Sequence, residues 1–297
     1  MRKTPIFGLL LISVFLAACA QQQQAPSQGA FIGGTQGVLA DFEPFGVEEG
    51  GKFTIFNTET FPLEVTLRNK GEYGLQIGDV KVKLLGPSPE EFSGIPSFEK
   101  QNAAVIDKIS ELVLLGGEET VSFASDAKYE QDVTGAIDRE WFASLEYKYQ
   151  TYLILPEVCL KEDITDERVC EVNKAKTFFV SGAPVTITSV EESTAGKGIM
   201  ALRIKVKNVG GGEVAQLGEA FGIRDELSYS IDDPAWECKA GGKVNEARLD
   251  NGEAEIVCKL KAALAEGTLS TRQVGLTFDY RYRDLIQETL RIKESVE

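Results

Sequence analysis

Cys19, Cys159, Cys170, Cys238 and Cys258 are the residues of this 297-residue chain whose chemistry can be read from type and spacing. Two chemistries are open to the last four: pairing as disulfides, or holding a metal ion through thiolates. The metal reading is the weaker, because neither a CxxC pair nor any histidine accompanies them. An even set favours two bridges, and short separations favour local pairing, Cys159 with Cys170 and Cys238 with Cys258. Loops of that size are each worth about 3 kcal/mol in the chain-entropy account.

The absence of histidine narrows catalysis as well. It removes Ser-His-Asp and Cys-His couples and the HExxH zinc site. A general base would have to be a carboxylate, lysine or tyrosine of shifted pKa. Nucleotide-binding glycine loops and the EF-hand spacing are missing from the sequence too. No cofactor, catalytic residue or metal ligand is therefore assigned.

Cys19 stands apart from the other four. Arg2 and Lys3 precede an apolar run from Ile6 to Ala18, which closes Leu16-Ala17-Ala18-Cys19 ahead of four glutamines. Charge, apolar core, small residues and polar tail are the order of a secretory leader. A cysteine directly after the small residues resembles the lipobox of prokaryotic lipoproteins, which implies that the Cys19 thiol carries lipid. An uncleaved span is the weaker reading, since the run falls short of about 20 residues. Cleavage without lipid is the other alternative. Residues 1–18 are thus read as a lipoprotein signal peptide, and 19–38 as the lipidated cysteine and a flexible tether. The expected location is extracytoplasmic, on the membrane of the cell envelope.

The rest must position any site. With 43% hydrophobic residues the chain can build a globular core. Its net charge of −15 becomes −17 once Arg2 and Lys3 leave with the leader, which disfavours nucleic acid as a partner. From Asp41 onward apolar and polar residues alternate, as in Val80, Val82, Leu84, or Leu145, Tyr147, Tyr149, or Leu276, Phe278, Tyr280, Tyr282. Glycine and asparagine clusters punctuate these runs, so the expected class is all-β, built of antiparallel sandwiches. One short helix of about three turns is expected within 98–115, from apolar residues at three- and four-residue steps. A long crossover between sheets is the alternative there.

An internal repeat sets the domain count. Residues 63–71, LEVTLRNKG, match 202–210, LRIKVKNVG, and 145–149, LEYKY, match 278–282, FDYRY. Two copies of one plan predict two sandwiches in tandem, 39–182 and 183–297. In the second copy the tyrosine strand is expected to turn back through Arg283-Asp284 into 286–292. In the first, the return at 176–180 follows a charged excursion, 160–169, with Cys159 and Cys170 at its base.

The core of alternating apolar residues ending Asn69-x-Gly71, and again Asn208-x-Gly210, resembles the CARDB-like domains of archaeal and bacterial surface proteins. Gly34 to Gly37 leading into Phe42, and the late tyrosine-rich strand, look like exported tandem-domain proteins of archaea. The resemblance implies immunoglobulin-like sandwiches and roles in adhesion or envelope assembly. Residues 96–115 and the stapled loop depart from that plan.

The leading expectation is a non-catalytic, lipid-anchored cell-surface protein that meets protein or envelope partners, with loop 160–169 and segment 97–110 as contact regions. A cation- or glycan-binding lipoprotein is the alternative, with Asp225, Glu226, Asp232 and Asp233 as oxygen donors for calcium. A glycoside hydrolase with Trp141 and Trp236 in a cleft is the third class.

Overall fold

The computed structural model describes residues 30–295 except Glu167 and Asn173. The leader, Cys19 and most of the tether lie outside these residues. The described chain is all-β, with a single 3-10 turn at Pro89–Glu91 as its helical content.

Three sheets form two layers. Val38–Phe42, Thr60–Asn69, Glu118–Tyr129 and Phe92–Ser93 make one outer sheet, in that spatial order. The second outer sheet runs Lys174–Ala175, Val185–Gly196, Ile199–Asn208, Glu253–Leu260, Trp236–Ala240 and Lys243–Val244. Both lie against one ten-stranded sheet. Its spine is a pair of very long strands, Ala136–Lys161 and Leu269–Lys293, antiparallel from Lys161↔Leu269 to Ala136↔Lys293. At roughly 3.3 Å per residue this pair spans about 80 Å.

The alternation explains how strands of that length serve both sandwiches. Trp141, Ala143, Leu145, Tyr147, Tyr149, Thr151, Leu153 and Leu155 are buried at every second position, so one face points inward along the whole run. Val274, Leu276, Phe278, Tyr280 and Tyr282 answer them from the partner strand. The buried residues of both halves form one continuous cluster.

The strand pairing runs across the expected division at 182/183. Residues 136–149 pair with 280–293 of the other half on one side, and 142–147 among them pair with Val80–Gly86 of their own half on the other. Reciprocally, 269–279 pair with residues 150–161, and 276–279 among them pair with Ser228–Ile231 on the other side. Each half therefore supplies a strand segment to the other's side of the long sheet, and the buried residues of the two run together. The expected turn at Arg283-Asp284 does not form; the strand passes straight through the waist. The expected return at 176–180 is also absent as one strand: Lys174–Ala175 joins the second outer sheet, and Phe179–Val180 pairs with Leu153 and Ile154.

The helix expected within 98–115 is likewise replaced. Glu99–Gln101 is a short strand on Val80–Gly86, and Ile106 bridges to Leu75. Asn102 holds this path open by accepting from Val80 N at 2.9 Å and donating to Gln76 O and Ala104 O at 2.8 Å. Glu119 accepts from Ala103 N at 2.6 Å, taking a backbone donor a helix would have needed.

Candidate interaction surface

The repeated Asn-x-Gly motif is a lock at the waist. Asn69 Oδ1 accepts from Tyr149 Oη at 3.1 Å and from Gly71 N at 3.2 Å, and its Nδ2 donates to Tyr73 O at 2.7 Å. The second copy repeats the arrangement: Asn208 Oδ1 accepts from Tyr282 Oη at 3.3 Å, and Nδ2 donates to Gly212 O at 2.8 Å. A Cβ on Gly71 or Gly210 would overlap the hydroxyl of Tyr149 or Tyr282, so the motif requires glycine there. The matched positions in the two sequence copies are thus matched contacts.

Four tyrosines meet where the long strands cross the waist. Tyr147 and Tyr149 stand opposite Tyr282 and Tyr280, with ring centroids 5.5 and 6.3 Å apart. Burial pushes the hydroxyls of Tyr147, Tyr149 and Tyr280 well up, and that of Tyr282 up to about 12. A raised tyrosine pKa means the folded state holds its proton more tightly than the unfolded chain. Its contribution is complete below pH 10 and is lost as pH rises above that value. Alkaline titration at tyrosinate wavelengths should therefore show these four ionising together with loss of β-sheet ellipticity. Their smooth ionisation in a chain still folded would contradict the buried placement.

The chain enters the body at the same waist. Glu72, nearly buried, accepts from Ile32 N and Gly33 N at 2.9 Å and from Gly182 N at 2.7 Å. Phe31 stacks on Tyr152 with centroids 6.3 Å apart. Lys70 N donates to Gly37 O at 2.8 Å. The tether thus meets the middle of the long sheet rather than one of its ends.

The far ends carry the loops. Cys159 lies near the end of its long strand and is bridged to Cys170, Cα atoms 5.8 Å apart, so the staple ties the strand to loop 160–169. Beneath it Glu192 is almost fully buried. Its Oε1 accepts from Cys159 N at 2.8 Å, and Oε2 lies 2.7 Å from Lys176 Nζ. Above it Ile164 and Val169 are exposed. The second bridge, Cys238–Cys258, joins directly opposed residues of neighbouring strands within the second outer sheet. Two disulfides fit an oxidising, extracytoplasmic setting.

The remaining candidates do not converge. Asp225 accepts from Val214 N, Asp232 from Gly275 N, and Asp233 from Ala235 N, each at 2.9–3.0 Å, so each carboxylate serves its own turn or edge. Glu226 stands on Asp225–Ile231 opposite Arg248. Among the described residues no group of three or more His, Cys, Asp or Glu could hold a metal ion. Trp141 and Trp236 are buried in the two sandwich cores and line no cleft. Their Nε1 atoms are without a hydrogen-bond partner among the described residues.

Residues 110–117, which the expected helix or crossover within 98–115 largely covers, form an exposed loop. Leu112, Leu114 and Leu115 are 95%, 70% and 78% exposed. The available signal was a run of four apolar residues, 112–115, with no alternation and two glycines after it. Compared with protein-family models, with curated proteins and with solved structures, the chain matches none.

Proposed function

We propose that this chain is a non-catalytic, lipid-anchored cell-surface protein whose two sandwiches present their end loops to protein or envelope partners. The observation that carries the reading is the place of attachment. A tether fixed by Glu72 at mid-length holds an elongated, disulfide-braced body by its middle and leaves both ends free. Loops placed on a rigid scaffold are where binding surfaces are commonly built. The order of the first outer sheet supports an immunoglobulin-like plan in which the edge strand is exchanged between halves.

A photo-crosslinking residue at Ile164, in the chain expressed with its leader in intact cells, should capture a discrete protein or envelope polymer. The same residue at Thr188, on the exposed face of the second outer sheet, should not. Recovery of lipid adducts alone from Ile164 would contradict the proposal.

A further inference from the structure

We infer that the leucine loop at 110–117 docks into the lipid surface beside the anchor and sets how the body sits on the membrane. The inference rests on the lipid-anchor reading above. It starts from one three-residue segment that grips both the tether and the loop. Lys70 N and the Glu72 carboxylate hold Gly37, Ile32 and Gly33. Gly71 O accepts from Ile109 N at 2.8 Å, and Lys70 Nζ donates to Leu115 O at 2.9 Å. The exposed leucines therefore stand next to the point from which the tether leaves.

That tether is short. Ten residues lie between Cys19 and Ala30, and even fully extended such a stretch reaches no farther than about 40 Å. The waist is thus held close to the lipid, and the apolar surface nearest the tether's root is the first to meet it. The loop is also built in advance. Ser110 and Val113 exchange backbone hydrogen bonds at 3.1 Å, Gly117 N donates to Asp107 O at 2.8 Å, and Asn69 N to Gly117 O at 3.0 Å. Contiguous leucines held out in water, with no ordering cost left to meet on binding, suit an interface of acyl chains. Lys70, whose ammonium holds Leu115 O, and the exposed Lys108 bring positive charge to the base of the loop.

The test uses the full lipidated chain in phosphatidylcholine vesicles with brominated acyl chains. Leu114→Trp reports on the loop, and Val47→Trp, on an exposed strand in the part of the first sandwich away from the waist, is its control. Both native tryptophans are buried and serve as a constant background. The Leu114→Trp emission should shift to the blue and lose most of its intensity to bromine, while Val47→Trp emission stays put. A Leu114→Trp chain that floats with vesicles yet escapes quenching overturns the loop assignment and leaves the anchor standing. A chain that does not float, with no lipid on Cys19 by intact mass, overturns the anchor and the loop's role with it. A blue shift that grows with protein density, without bromine quenching, gives the loop to a second copy of the chain and also overturns the inference.

Discussion

Residues 30–182 produced alone are expected to yield no folded monomer, and 183–295 the same, while the two produced together assemble one to one. The reason is the exchange of strands at the waist. In the first fragment, residues 136–149 lose the neighbour that 280–293 supplies, and with it Leu290 and Ile292 from the core. Residues 150–161 of that fragment lose both the facing sheet and the adjacent strand. Leu153, Leu155, Val158 and Leu160 then stand in water. At about 1.5–3 kcal/mol for each aliphatic side chain, that row alone is worth about 6–12 kcal/mol. A whole domain is stable by only about 5–15 kcal/mol, so the loss is decisive. Co-expression restores each missing strand without a covalent link. Size-exclusion chromatography with circular dichroism reads the outcome. A fragment 30–182 that is monomeric and melts near the full chain would show that the halves close separately.

The limits of the sequence reading follow from the same geometry. Alternation at Leu145, Tyr147 and Tyr149, or at Leu276 to Tyr282, states that a strand has one buried face. It does not state which strand lies beside it. Residues 150–161 and 283–293 satisfy the pattern whether they fold back on their own half or cross to the other. Arg283-Asp284 reads as a turn because two charged residues interrupt the apolar run. In the structure they lie at the waist, where the strand passes between the two outer sheets. Arg283 also faces the ring of Phe221 at 4.5 Å, a contact from a loop 62 residues away in sequence.

The cysteines were legible because their partners are near in sequence, 11 and 20 residues apart. The Asn-x-Gly motif was legible as a repeat but not as a mechanism. Its partner hydroxyl comes from Tyr149, 80 residues on, and nothing local to Asn69 announces it. The segment 98–115 misled for the opposite reason. Ala103, Ile106, Ile109, Leu112 and Val113 have helical spacing, yet only Ile106 is buried, and Leu112 is the most exposed of them. Periodicity presumes a single packing face, and this segment has none. A loop pinned at its base with its leucines outward leaves a pattern that imitates an amphipathic helix.

Asn69→Ala should cost about 3–5 kcal/mol of stability. The side chain is wholly buried and serves several backbone and hydroxyl groups at once. Its removal strands the Gly71 N–H, the Tyr73 carbonyl and the Tyr149 hydroxyl, at about 1–3 kcal/mol for each left unpaired, less whatever water can reach. Asn208→Ala makes the equivalent deletion in the second copy. It should cost less, about 1–2 kcal/mol, because Asn208 is half-exposed and water can take its place. Tyr149→Phe deletes one donor and leaves the Asn69 oxygen still bonded to Gly71 N, so about 1 kcal/mol is expected. In the double variant the two losses should fall well short of adding, since both act on one contact. Denaturant unfolding followed by tryptophan emission gives all four values, and repeating it in Trp236→Phe and Trp141→Phe backgrounds reads Trp141 and Trp236, one in each sandwich, separately. The shared sheet makes a further demand on the same curves. Residues 136–161 and 269–293 belong to both cores, so damage at Asn69 must be felt at Trp236 as well as at Trp141. One transition, moved as a whole, is the expected result. An early transition seen only at Trp141 would mean that the long strands do not couple the halves.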